Sequence, residues 1–275
     1  MKRKILAVLT SALLAMTAFV VAPNAAFADT ATTLVKFDLK DSKGKALPVD
    51  EGGASYYSNG WKTFDPEAGV ELAPGTYDFA AVYNGTRQQK KVTVVGDEAT
   101  PVQAVDFKTS LVNVQLHGDH NIALDLRQGT AQFYAGGAWR LITGVNTNNP
   151  RLVQTEMLPG TYAFAATFNG TREQQNGVVV GATAKTVRFH AAIVDVELMD
   201  NGAVVRADSY TAKYYANGWR VLDNSTGVYM LPGTYTFEVM IGGERLRKEY
   251  TVVRPNENNN DRRNQTVPFE LPKRS

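Results

Sequence analysis

An all-β chain of three tandem small antiparallel β-sandwich domains is the fold this sequence predicts. Three observations predict it. One unit recurs three times, with Trp61, Trp139 and Trp219 spaced 78 and 80 residues apart. Apolar residues within each unit alternate with a period of two, the signature of half-buried strands. Pro-Gly, Asn-Gly and Gly-Gly dipeptides separate these stretches as turns do. A period near 80 is too long for a solenoid repeat and suits an array of small domains, each with its own core.

Residues 1–28 come first and stand apart. Lys2, Arg3 and Lys4 precede the apolar run Ile5 to Val21, and Ala26-Phe27-Ala28 gives a small-x-small cleavage pattern, so an export signal is expected with Asp29 as the first mature residue. The predicted domains are then 29–108, 109–190 and 191–275. Removing the three basic residues takes the formal charge from +2 to −1, so no basic face for nucleic acid is expected. No second apolar stretch is long enough to span a bilayer. The chain has no cysteine, which excludes disulfides and Cys-based chemistry and leaves core packing to hold each domain together.

Each unit opens on an alternating strand, "LVKFDL" at 34–39, "LVNVQL" at 111–116 and "IVDVEL" at 193–198. A hairpin follows: "ASYYSNGWKTF", "AQFYAGGAWRLI" and "AKYYANGWRVL". With Asn59-Gly60 as a two-residue loop, Tyr57 opposes Lys62, and Ala54, Tyr56, Ser58, Trp61 and Thr63 share one face. That small–large alternation predicts a tryptophan in the core. The same pattern gives Ala131, Phe133, Ala135, Trp139 and Leu141 in the second unit, and Ala212, Tyr214, Ala216, Trp219 and Val221 in the third. Tyr57, Tyr134 and Tyr215 then point outward, each across from a cation: Lys62, Arg140 and Arg220. Such a cation–π pair is worth about 0.5–1 kcal/mol.

"PGTY" begins the next strand of every unit, and Pro followed by Gly predicts a type II turn. Tyr77, Phe79, Ala81 and Tyr83 lie on one face of that strand, with equivalents in the other units. Asn84-Gly85, Asn169-Gly170 and Gly242-Gly243 are two-residue hairpin turns, so the formal glycosylation sequons at 84–86 and 169–171 are accounted for as turns. Each unit closes on a short strand. Pro268 marks the last of these as an edge. About seven strands and no helix are expected per unit.

The "PGTY" stretch inside an all-β unit of an exported chain resembles prealbumin-like or immunoglobulin-like repeats of bacterial surface proteins, the carboxypeptidase-regulatory-like and collagen-adhesin B-type domains in particular. Exported, disulfide-free chains with this signal also resemble Gram-positive products. The resemblance implies a non-catalytic stalk, spacer or adhesion module. The Lys–Asn crosslink of collagen-adhesin B-type domains is not expected, because Lys36 is replaced by Asn113 and Asp195, and Asp78 by Ala163 and Thr236.

Little in the chain points to catalysis. "HGDHN" at 117–121 offers His117 and His120 around Asp119, and with His190 these are the three histidines present. A polar loop accounts for it, and neither a metal site nor a cofactor is expected. An enzyme would need its catalytic groups in the second unit, where the histidines are; none is predicted. The polar insertions at 146–152 and 255–265 occur in one unit each. The expected function is therefore a secreted or cell-wall-associated spacer or adhesion module. The alternative is a carbohydrate-binding array using Tyr57 with Lys62, Tyr134 with Arg140 and Tyr215 with Arg220. Partners of the expected kind are a cell-wall or extracellular polysaccharide or a surface protein.

Overall fold

The computed structural model describes residues 32–96, 102–118, 122–126, 129–146, 149–205, 210–223, 225–255 and 265–272. The predicted signal segment, His120, Asp119 and most of the 255–265 insertion lie outside them. All regular structure among the described residues is strand, apart from a single-residue 3₁₀ position at Leu126. No helix among them is long and apolar enough to cross a membrane.

The first unit comprises β1 (Thr33–Lys40), β2 (Ala54–Tyr57), β3 (Trp61–Thr63), β4 (Val70–Leu72), β5 (Gly75–Tyr83), β6 (Thr86–Val94) and β7 (Val102–Lys108). The second comprises β8 (Ser110–His117), β9 (Gly129–Ala135), β10 (Ala138–Leu141), β11 (Gly144–Asn146), β12 (Asn149–Met157), β13 (Gly160–Phe168), β14 (Thr171–Val180) and β15 (Lys185–His190). The third comprises β16 (Ala192–Asp200), β17 (Ala203–Val205), β18 (Thr211–Tyr215), β19 (Trp219–Leu222), β20 (Val228–Met230), β21 (Gly233–Ile241), β22 (Glu244–Val252) and β23 (Gln265–Glu270).

Two sheets face each other in every unit. One holds the hairpin strands, in the order β3-β2-β5-β6, β10-β9-β13-β14 and β19-β18-β21-β22. The other is centred on β1, β8 or β16. Alternate residues of both fill the space between them, such as Val35, Phe37, Phe79 and Phe107 in the first unit. Val112, Phe133, Phe164 and Phe189 do so in the second, and Val194, Tyr214, Phe237 and Phe269 in the third. One pairing departs from the antiparallel expectation. The closing strand of each unit runs parallel to the opening one: β7 to β1, β15 to β8 and β23 to β16. Pro268 lies in β23, which pairs only with β16, so its missing N–H interrupts no ladder.

The Asn-Gly and Gly-Gly turns behave as predicted. Asn84 and Gly85, Asn169 and Gly170, and Gly242 and Gly243 all have positive φ, the requirement of a type I′ turn. The Pro-Gly pairs do not form type II turns. Gly75 and Gly160 are not in the positive-φ region, and all three glycines open a strand. What the motif does instead is fold its tyrosine back. The hydroxyl of Tyr77 donates to the carbonyl of Ala73 at 3.0 Å, Tyr162 to Leu158 at 2.7 Å and Tyr235 to Leu231 at 2.9 Å. The ring lies over the glycine most closely in the second and third units, where a Cβ at Gly160 would sit 2.8 Å from the Tyr162 hydroxyl and one at Gly233 2.9 Å from that of Tyr235.

Candidate functional site

The hairpin that carries the predicted site residues is one residue out of the expected register. Tyr57 opposes Trp61, Tyr56 opposes Lys62 and Ser55 opposes Thr63. The third unit does the same, with Tyr215 opposite Trp219 and Tyr214 opposite Arg220. The cause is the turn. Ser58 N–H donates to the Gly60 carbonyl at 2.9 Å and Ala216 N–H to that of Gly218 at 2.9 Å, so three residues, not two, lie outside the ladder. In the second unit the loop is the two residues Gly136-Gly137, and Tyr134 still opposes Trp139. Because side chains alternate, a one-residue shift moves every residue of the return strand to the other face.

The tryptophans are therefore not core residues. Trp61 is 43% exposed and Trp219 42%, while Trp139 is half-buried. Their places in the core are taken by Phe64, Ile142 and Leu222. Leu141 and Val221, expected inside, are exposed. Tyr57, Tyr134 and Tyr215 do point outward, at 49%, 43% and 50% exposure, but each faces the tryptophan and not a cation. The ring pairs are edge-on, with centroids 5.7, 5.5 and 5.5 Å apart. A guanidinium from the strand at the opposite edge of the same sheet (β6, β14 or β22) caps each tryptophan: Arg87 over Trp61 at 4.6 Å, Arg172 over Trp139 at 4.7 Å and Arg247 over Trp219 at 5.1 Å. Sequence reasoning missed these three arginines. The shared "NGTR" at 84–87 and 169–172 is the signal that points to two of them. In the third unit Arg247 also donates to the buried Glu238 carboxylate at 2.8 Å.

The predicted cations have another place. Arg140 of the second unit lies against the turn of the first, where a Cβ on Gly85 would fall 2.2 Å from its Nε. Arg220 of the third unit lies on Gly170 of the second in the same way, at 2.3 Å. Lys62, their counterpart in the first unit, is exposed.

These turns are where consecutive units join. Thr86 Oγ1 donates to its own Tyr83 carbonyl at 2.6 Å and accepts the N–H of Leu158 at 3.0 Å. Thr171 repeats both contacts, with Phe168 at 2.6 Å and Leu231 at 2.9 Å. The two leucines are fully buried and pack in the core of the preceding unit. Asn84 Nδ2 donates to Thr155 Oγ1 and Asn169 Nδ2 to the Tyr229 carbonyl. Burial, weakened by the bond to the threonine hydroxyl, lifts the Tyr162 and Tyr235 phenols above their ordinary range. The outer sides of the first and third units differ from these joints in sequence. Ala73 stands where the incoming leucine would be, and Gly242-Gly243-Glu244 replaces Asn-Gly-Thr.

His117 is buried beside His190, in register with it across the β8–β15 pair, with ring centroids 5.5 Å apart. Among the described residues no three His, Asp or Glu side chains gather as metal ligands do.

No family model matches this sequence, and no curated protein matches it. Solved structures similar to it include the Bacillus anthracis TIE protein, at 13% identity and TM-score 0.23 over 88% of this chain and 51% of that one. The pilus adhesin SpaC from Lactobacillus rhamnosus GG is similar at 11% identity and TM-score 0.25, over 87% and 42%. A streptococcal ancillary pilin is similar at 11% identity and TM-score 0.25, over 88% and 100%. The chain thus spans about half the length of the first two or less.

Proposed function

We propose that this chain is a non-catalytic exported protein of the cell envelope or extracellular space, acting as a structural spacer and adhesion module. The construction of the joints carries this reading. A single residue separates β7 from β8 and β15 from β16, Thr109 and Ala191, and both are fully buried. Each joint is also pinned by a leucine seated in the preceding core. Domains in tandem move freely by default, and links with no slack plus an apolar interface remove that freedom. A spacer needs this stiffness. Small-angle scattering of the chain should fit one fixed extended particle. A profile that requires independently moving units would overturn the spacer role.

The outward Tyr of every unit, paired edge-on with a tryptophan that is exposed in the first and third units, favours a second reading, a carbohydrate-binding array. Aromatic faces stack on sugar rings, and three weak sites on one stiff support gain from avidity. The test is retention on peptidoglycan, chitin and starch. The triple variant Tyr57→Ala, Tyr134→Ala, Tyr215→Ala should lose it; unchanged retention would end the stacking idea.

A further inference from the structure

Every unit has a seam where the last strands of its two sheets run side by side: β6 with β7, β14 with β15, β22 with β23. Each of these is an edge strand, paired on one side only. One latch crosses the seam at the same place in all three units. Lys90 Nζ donates to the Asp106 carbonyl, Gln175 Nε2 to that of Arg188 at 2.7 Å and Lys248 Nζ to that of Pro268 at 3.1 Å.

The first and third units have a second latch, a glutamine held at both ends of its amide. Gln103 donates to the Thr93 carbonyl at 2.8 Å and accepts from Val95 N–H at 3.2 Å. Gln265 donates to the Val253 carbonyl at 2.6 Å and accepts from its N–H at 2.9 Å. Strand register identifies the equivalent in the second unit: Gln103 pairs with Val35, Gln265 with Val194, and Lys185 with Val112. A lysine cannot accept from a backbone N–H, so the two-sided clamp cannot form there.

The second unit differs in one more way. β14 has 10 residues where β6 and β22 have 9. Its pairing with β13 slips between Tyr162 and Phe164, and Gly177 at φ 69° absorbs the extra residue. Beyond the Gln175–Arg188 latch, which closes one end, the two strands flank a cleft of about 400 Å³ lined by residues 175–179 of β14 and 185–188 of β15.

We infer that this cleft is a docking site for an extended acidic peptide, added as a strand between β14 and β15 with a carboxylate near Lys185. Unpaired edge strands offer alternate N–H and C=O groups to an incoming backbone. Lys185 and Arg188 line the cleft and no Asp or Glu does, which sets the sign of the ligand. Val179, 62% exposed, is an apolar contact for the alternate side chains of such a strand. This site is independent of the aromatic ladder and of the spacer role.

The test is fluorescence anisotropy of the full chain with two labelled probes, an alternating Glu–Val peptide and its Lys–Val counterpart. The acidic probe should bind, weaken with added salt, and exceed the basic one at least about tenfold in affinity. Lys185→Gln installs the residue that closes the other two seams, so it should fold and abolish binding; Lys185→Glu should do the same by charge. Equal binding of both probes, or full binding by a folded Lys185→Gln, would overturn the proposal. So would self-association of the chain that Lys185→Gln removes, since the occupant would then be a second copy.

Discussion

The two joints share one frame and differ in what surrounds it. In both, a threonine of the turn accepts a leucine N–H from the next unit, and the leucine fills the preceding core. Around the first joint the partners are polar. Glu156 accepts from the hydroxyls of Ser42 and Thr109, each at 2.5 Å. At the second joint Tyr229 stands in place of Glu156 and packs against the core of the second unit. Gly118 makes room for it: a Cβ there would come within 2.6 Å of the Tyr229 ring. The second joint also uses Tyr214, where the second unit has the buried Phe133: its hydroxyl donates to the Asn169 carbonyl at 3.0 Å. The difference teaches which contacts define a joint and which adjust to the local sequence. The Thr–Leu bond and the buried leucine are common to both; the carboxylate and the aromatic ring are alternatives.

Truncating the shared part should cost the most. Leu158→Ala and Leu231→Ala each empty a fully buried site and install the residue type found at the equivalent position of the first unit, Ala73. Each should cost about 2–5 kcal/mol. If the frame is what matters, the two losses will be similar in thermal or denaturant unfolding. Losses differing by more than about 2 kcal/mol would mean that the surroundings carry one joint. Thr86→Val and Thr171→Val keep the shape and strand the leucine N–H without an acceptor. The expected cost is about 1–3 kcal/mol. Hydrogen exchange should show it locally, as faster exchange at Leu158 and Leu231 in the respective variants; unchanged exchange would remove the threonine bond from the frame.

Much of this was legible in the sequence, and the failures have physical causes. Strand positions, core faces of β5, β13 and β21, and the type I′ turns follow from alternation and local φ requirements. The hairpin register does not. Ser58-Asn59-Gly60 and Asn59-Gly60 are both acceptable loops, and the choice between them flips Trp61 from core to surface. The role of "PGTY" was hidden because its tyrosine acts through a hydroxyl on a carbonyl four residues back, which apolar periodicity does not report. The joints were written in the sequence as departures from the repeat: Ala73 against Leu158 and Leu231, and Glu244 against Thr86 and Thr171. Those departures are intelligible only when the partner is known to lie in the neighbouring unit. The same holds for Lys185 among glutamines.

The smallest effect separates the joints by pH. Glu173 in the second unit is matched by Gln88 in the first. Burial pushes its carboxyl above the ordinary value near 4.5, and the Arg254 guanidinium of the third unit, which it pairs with, only partly opposes this. A carboxyl whose value is raised on folding favours the protonated folded state. Its contribution is present in full below about 4.5 and is lost as pH rises through the higher folded value. The chain should therefore gain stability on acidification from neutral pH toward that range. Glu173→Gln makes the second unit resemble the first and should remove the gain while leaving Leu158 exchange untouched. Denaturant unfolding of both proteins at neutral pH and near pH 5 measures it. If the parent chain instead loses stability relative to Glu173→Gln on acidification, the ion pair with Arg254 outweighs burial, and the second joint is held by charge as the first is held by hydroxyls.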